Sequence, residues 1–235
     1  LVWLTPAQVA ERFGNTLLSE AFEGPDAIIV DETVETGDFA VTLMGLVSGE
    51  DLDTLNPDPG SAHTYAVLSL RRLDGEPLET QTFGFSDYTM TPLVAGCSPA
   101  AVNNWTLGAF ASGFAENGVY YCMLDTESIE KFADRTVYMA FYEGLAPNNT
   151  IFTVNGDGTI AFCDDFDGVH ALFELPLDPA KADPAAVEAF LEENPMGWTN
   201  DRTPTEDGNY VTTEQETEDG LIVTLQPAGG EDRNG

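Results

Sequence analysis

Basic residues are scarce in this sequence: 8 lysines and arginines stand against 41 aspartates and glutamates, for a formal net charge of -33 over 235 residues. A field of that sign repels the phosphates of nucleic acids and of anionic lipids. We therefore expect no nucleic-acid partner and no direct membrane binding by this chain. Halophilic proteins show the same depletion of lysine, so a halophilic source is an alternative explanation of the acidity.

Histidine and cysteine are scarce as well. The two histidines, His63 and His170, lie in no Gly-x-Ser-x-Gly or papain-like context. A solvated loop residue is the default interpretation of His63, and a core or surface position in a strand is that of His170. The cysteines Cys97, Cys122 and Cys163 lack the spacing of a zinc or redox site. Buried free thiols are favoured, with one disulfide and a spare thiol as the alternative.

Several further motifs are missing, and each absence narrows the function. The sequence has no phosphate loop, no dinucleotide fingerprint and no HExxH. It has no apolar run near the roughly 20 residues that span a bilayer, and no signal-peptide core. We expect a non-enzymatic chain that is a soluble piece of a larger protein.

Alternating apolar residues predict strands along most of the chain. Phe39–Val47 and Thr64–Leu73 form the first pair, which we expect to be antiparallel and joined by a proline-containing loop. Further predicted strands are Ile28–Val30, Thr80–Phe85, Trp105–Ala111, Gly118–Leu124, Arg135–Tyr142, Ile151–Val154, Thr159–Cys163 and Val169–Leu175. This density of strands predicts a mainly β protein with an immunoglobulin-like β-sandwich.

Two helices accompany the predicted sandwich. Thr5 and Pro6 begin an amphipathic helix that we expect to end at Gly24, and Asp183 caps a second short helix near 183–192. We divide the chain into an N-terminal helix (1–27), a sandwich domain (28–195), and a linker with a C-terminal strand (196–235). Glu216–Leu225 resembles the lead-in and strand at Glu35–Leu43, so the last segment either closes this domain or starts a second similar domain.

Two kinds of ligand site are worth predicting. Asn155 and Asp157 occupy part of a calcium-loop pattern, although Thr153 stands where the first carboxylate is needed. A calcium site would also draw on three nearby acids, Asp164, Asp165 and Asp167. The same residues make an ordinary hairpin turn without metal, so we predict no cofactor, with calcium as the alternative.

Exposed aromatic residues are the second kind of candidate. Trp105 and Trp198 lie outside the obvious core runs, where they could stack on a sugar or a partner. Packing into the core or over its end is the other interpretation of each.

Four segments carry a resemblance to a known family. They are Glu35–Val47, Thr64–Leu70, Tyr121–Tyr138 and Phe173–Asp183. Together they resemble the extracytoplasmic β-sandwich domains of unknown function in Gram-positive (Firmicutes) membrane proteins associated with sigma-factor regulation. The resemblance covers about residues 1 to 195 and brings no catalytic residue with it. It implies a module on the outer side of a Gram-positive membrane, with a membrane anchor outside this chain.

The sequence therefore predicts a non-catalytic extracytoplasmic interaction or sensing module of the bacterial envelope, with a protein or a cell-envelope glycan as partner. The alternative is a carbohydrate-binding or carbohydrate-processing domain that uses Trp105, Trp198 and acidic residues. The fold does not decide between these two functions, because β-sandwiches carry many functions. An exposed aromatic residue beside a cleft would favour the alternative.

Overall fold

The computed structural model describes residues 3–52, 60–78, 87–194, 210–217 and 220–227. Its α-helices are α1 Pro6–Arg12, α2 Thr16–Glu23 and α3 Pro184–Glu193. Its strands are β1 Ile28–Thr36, β2 Phe39–Glu50, β3 Ala62–Arg72, β4 Tyr88–Val94, β5 Phe110–Glu116, β6 Val119–Glu127, β7 Val137–Glu143, β8 Phe152–Val154, β9 Ile160–Phe162, β10 His170–Glu174, β11 Tyr210–Thr217 and β12 Gly220–Pro227.

Two antiparallel sheets make up the body of the protein. One has five strands in the order β1-β2-β3-β6-β5, and the other has three in the order β10-β7-β4. The prediction of a mainly β protein with a sandwich arrangement is thus confirmed. The predicted antiparallel pair of β2 and β3 forms with Phe39 opposite Arg72 and Glu50 opposite Ala62.

Buried side chains form three clusters, which lie between four layers: the two N-terminal helices, the five-stranded sheet, the three-stranded sheet and the β8-β9 hairpin. The largest cluster lies between the two sheets and contains Leu68, Cys122 and Phe173. A second joins α1 and α2 to the other face of the five-stranded sheet, around Tyr121. A third joins the three-stranded sheet to the β8-β9 hairpin, around Tyr142. The middle strands β3 and β7 are buried on both faces for this reason.

The N-terminal helix differs from the prediction because it is broken in two. Gly14 adopts a left-handed conformation with φ +78, which glycine reaches without the Cβ penalty of other residues. Asn15 then caps α2 by accepting the backbone N–H of Leu18 at 3.0 Å. α1 begins as predicted, with a capping box between Thr5 and Gln8, and α3 confirms the helix predicted near 183–192.

Two strand predictions were wrong or incomplete. The predicted strand Trp105–Ala111 is a turn over residues 103–108, and β5 begins only at Phe110. β4 was missed because Pro92 argues against a strand. Pro92 is tolerated in β4 because this strand lies at the edge of its sheet. An edge strand pairs on one side only, so the N–H that proline lacks is not needed on the other side. The predicted strand Thr80–Phe85 lies outside the described residues.

The chain divides into two compact units, Leu1–Trp198 and Thr199–Gly235. The second contains an antiparallel hairpin of β11 and β12. Our prediction recognised β12 but assigned β11 to no element. Whether this unit begins a second similar domain stays a prediction.

The three cysteines are free and buried, as the favoured interpretation had it. Burial raises the pKa of the Cys122 thiol, and burial likewise raises that of Cys97 even though the Arg135 guanidinium opposes it. Burial also raises the pKa of the Tyr120 phenol to about 12. These groups are therefore held in their neutral forms within the core.

This burial predicts a loss of stability at alkaline pH. An unfolded tyrosine loses its proton near pH 10, by its ordinary pKa of about 10, whereas folded Tyr120 keeps its proton until about pH 12. Between these values the unfolded state binds fewer protons, so the free energy of unfolding falls as pH rises. We expect the thermal midpoint to drop from pH 9.5 to 11.5, and to drop less in Tyr120→Phe. A midpoint that stays level over that range would contradict this.

Candidate functional site

An exposed indole stands on the turn between β4 and β5. The turn comprises residues 103–108, here called the Trp105 turn. Asn103 organises it from within: its side chain is buried, its Oδ1 accepts the backbone N–H groups of Trp105 at 2.8 Å and Thr106 at 3.2 Å, and its Nδ2 donates to the carbonyls of Pro99 and Ala100. One buried amide thus fixes the backbone on both sides of the tryptophan.

Both sheets hold the Trp105 turn in place. The N–H of Asn104 donates to Oγ1 of Thr91 in β4 at 2.7 Å. The N–H of Glu127 at the end of β6 donates to the carbonyl of Leu107 at 3.1 Å, and the Leu107 side chain is fully buried between the sheets. Trp105 is nonetheless 67% exposed. The indole is therefore exposed on a turn whose backbone is hydrogen-bonded to both sheets.

A cleft of about 410 Å³ lies beside the Trp105 turn at the end of the five-stranded sheet. The Trp105 turn contributes two of its lining residues. The others lie at or next to the start of β3, the end of β6 and the 3-10 helix Ile129–Phe132 that follows β6. The lining residues are Ser61, Ala62, His63, Leu107, Gly108, Glu127, Ser128 and Lys131.

A chain of three side chains crosses this end of the sheet. Nδ1 of His63 lies 2.5 Å from Oδ1 of Asp125, and its Nε2 lies 3.1 Å from Oγ of Ser61. The ring of His63 also stacks near that of Tyr65, with centroids 6.2 Å apart. The His63 and Asp125 side chains are only 14% and 18% exposed. The interpretation of His63 as a solvated loop residue was therefore wrong, because β3 begins at Ala62, before the predicted strand.

One cation lines the same cleft. Nζ of Lys131 is 2.8 Å from Oε2 of Glu127, which ends β6 four residues earlier. The ammonium also lies 4.3 Å from the centre of the Phe190 ring of α3, a cation–π arrangement. The Lys131 side chain is 16% exposed. The cleft thus presents a carboxylate, an ammonium, hydroxyls and an imidazole to one small volume.

The predicted calcium residues lie elsewhere, in and after the β8-β9 turn. Asn155 donates from its side chain to Oγ1 of Thr159. Oδ1 of Asp157 accepts the hydroxyl of Thr159 at 2.7 Å and its N–H at 3.0 Å, and these hydrogen bonds hold the pKa of Asp157 below its ordinary value. Both residues therefore act within the predicted hairpin turn.

The remaining acids of that prediction are exposed: Asp164, Asp165 and Asp167. Among the described residues, no three histidine, cysteine, aspartate or glutamate side chains are grouped as a metal ion would require. The calcium site stays a prediction.

The other predicted residues have mixed outcomes. Trp198 lies outside the described residues, so its role stays a prediction. His170 lies in β10, as predicted, with its Nδ1 2.6 Å from the carbonyl of Gly168 and its ring against Phe162. No helix within the described ranges is both long and apolar enough to cross a membrane.

Comparisons with family models, with curated proteins and with solved structures find no match for this chain. The fold and site therefore define the class of protein only as a β-sandwich-like domain with an aromatic turn beside a polar cleft. The resemblance to extracytoplasmic envelope domains, with the location that it implies, stays a prediction.

Sequence reasoning identified Trp105 but missed its setting. It also missed the link from Ser61 through His63 to Asp125. A signal for that link is present in the sequence. Positions 61 and 63 share one face of an extended chain, and once β3 and β6 are paired with Tyr65 opposite Asp125, Asp125 becomes the diagonal neighbour of His63. The register of β3 against β6 is needed to identify this pair, and the sequence alone leaves that register open.

Proposed function

We propose that this protein is an interaction module that binds a neutral glycan through the Trp105 turn and the adjacent cleft. The observation that carries the proposal is the 67% exposed indole of Trp105 on a turn that is hydrogen-bonded to both sheets. A binding surface gains affinity when its contact groups are already ordered, because little conformational entropy remains to be lost.

The chemistry of the surface suits a sugar. A pyranose ring has an apolar C–H face, which packs on the flat face of an indole, and hydroxyl groups around its edge. The cleft, which the Trp105 turn lines through Leu107 and Gly108, supplies both donors and acceptors for those hydroxyls, namely Ser128, Glu127 and Lys131. Recognition sites of this kind combine apolar area with a few convergent polar groups.

The charge of the chain narrows the ligand further. With a net charge of -33, the protein repels polyanions at long range. A neutral polysaccharide experiences no such repulsion. The resemblance to envelope domains supports a location outside the membrane, where cell-surface glycans are within reach.

A protein partner is the competing proposal, and it uses the same surface. Phe110 at the start of β5 is 71% exposed and close in sequence to Trp105, and aromatic residues are enriched at protein interfaces. We favour the glycan because the turn that carries Trp105 also lines, through Leu107 and Gly108, a cleft that contains charged groups and hydroxyls.

The test is retention on insoluble cellulose, chitin and xylan, compared between the wild-type chain and two tryptophan variants. We expect the wild type to be retained on at least one polymer and Trp105→Ala to bind it about tenfold more weakly or worse, as for the loss of an aromatic hot spot. Trp3→Ala is the matched control, because Trp3 is also exposed but does not belong to the Trp105 turn.

Two outcomes would contradict the glycan proposal. One is that the wild-type chain is retained on none of the three polymers. The other is that Trp105→Ala and Trp3→Ala are retained equally well.

A further inference from the structure

The side chains of Ser61, His63 and Asp125 are ordered like those of a serine hydrolase, and we propose that Ser61 is a nucleophile that cleaves carboxylic esters of small acyl groups. This goes beyond binding and departs from the non-catalytic function predicted from the sequence. It does not depend on the glycan proposal, because it concerns a different chemical step.

The two contacts of His63 suit a general base between Ser61 and Asp125. An ionised carboxylate only accepts hydrogen bonds, so Nδ1 of His63, 2.5 Å from Oδ1 of Asp125, carries the proton of that bond. In the neutral imidazole Nε2 is then the unprotonated nitrogen, and it lies 3.1 Å from Oγ of Ser61, within reach of the hydroxyl proton. This is the tautomer that a general base requires for activating a serine.

The backbone holds the three groups in place. Ser61 immediately precedes β3 and His63 is the second residue of that strand, so along an extended chain the two side chains project to the same face. Asp125 comes from the neighbouring strand β6, opposite Tyr65. Tyr65 is buried and its ring lies beside the imidazole of His63. The base is therefore oriented by packing on one side and by a carboxylate on the other.

The cleft is suited to the reaction as well as to binding. Ser61 and His63 line it together with Lys131 and Ser128. The Lys131 ammonium and the Ser128 hydroxyl are donors that can stabilise the negative charge on the carbonyl oxygen of an ester during attack. A volume of about 410 Å³ admits a small acyl group with part of its alcohol.

The reaction balances without any further reagent except water. Oγ of Ser61 forms a bond to the ester carbonyl carbon while its proton passes to Nε2 of His63. The bond from that carbon to the alcohol oxygen then breaks, and the alcohol leaves with the proton. Water attacks the acyl-serine with His63 again as base, which releases the carboxylic acid and restores Ser61. Asp125 touches no substrate and acts as a positioning residue.

The test is covalent labelling by an alkyl fluorophosphonate, in which Oγ replaces fluoride on phosphorus. Peptide mapping by mass spectrometry identifies the modified residue. We expect label on Ser61 of the wild-type chain, none on this peptide in Ser61→Ala, and labelling slower by about 100-fold in His63→Ala, the usual contribution of a general base. Ser19→Ala, a substitution on α2, serves as the control and should label like the wild type.

Asp125 has a test of its own. Asp125→Asn should slow labelling at an unchanged thermal midpoint, and Asp125→Glu should restore part of the rate, which a purely structural role would not do. Hydrolysis of p-nitrophenyl acetate should follow the same order. The proposal is overturned if folded wild-type protein carries no label on Ser61, or if His63→Ala with a wild-type midpoint labels at the wild-type rate.

Discussion

Phe132→Ala is expected to lower the free energy of unfolding by about 4 kcal/mol, the range for removing a large aromatic side chain from a packed core. Phe132 is completely buried in the cluster between the two sheets. It lies on the 3-10 helix Ile129–Phe132 that follows β6. Its ring meets the edge of the Phe190 ring of α3, with centroids 5.8 Å apart.

The loss has two parts. Truncation leaves a cavity between the sheets that rigid strands cannot collapse into, and it removes the aromatic contact that holds α3. Urea unfolding followed by circular dichroism measures the change. Leu145→Ala is the control, because Leu145 is 66% exposed and surface truncations cost less than about 0.5 kcal/mol. Equal midpoints for the two variants would show that the described core is wrong.

Asn103→Ala is expected to cost about 3 kcal/mol, because it removes four hydrogen bonds and leaves buried backbone groups without partners. Its amide serves Trp105 and Thr106 on one side and Pro99 and Ala100 on the other. The Trp105 turn should become mobile in this variant. Glycan retention should therefore fall even though Trp105 is still present.

The matched control is Asn148→Ala. Asn148 caps a turn in a similar way, with Oδ1 accepting from both the N–H and the hydroxyl of Thr150, but it is exposed. Water replaces such hydrogen bonds, so we expect a cost below about 1 kcal/mol, the modest net worth of a solvated hydrogen bond, and unchanged retention. A cost for Asn103→Ala no greater than that of Asn148→Ala would contradict the role assigned to Asn103.

Most of the fold could be predicted where the hydrophobic pattern is long and regular. The pairs Phe39–Val47 with Thr64–Leu73 and Ile151–Val154 with Thr159–Cys163 have alternating side chains or explicit turn chemistry, and both form hairpins. The errors fall where a single residue outweighs the pattern. Gly14 lies between α1 and α2 and separates them, although the apolar stripe in the sequence continues from one helix to the next.

The site could be predicted only in part, because its geometry depends on contacts that are distant in sequence. The apolar run after Trp105 reads as a strand, but Asn103, bonded to Pro99 and Ala100, bends the chain into a turn and exposes the indole. Likewise, the bond from His63 to Asp125 spans 62 residues. No spacing rule reveals such a pair before the strand register is known.

The calorimetric titration of a soluble oligosaccharide, taken from whichever polymer retains the chain, tests the binding surface most directly. We expect saturable binding by the wild type and by Trp3→Ala. Binding by Trp105→Ala should be weaker by about tenfold or more, as for the loss of an aromatic hot spot. Asn103→Ala should also bind the oligosaccharide more weakly, because the Trp105 turn is less ordered in that variant. Identical dissociation constants for the wild type and Trp105→Ala would show that the exposed indole is not the binding surface.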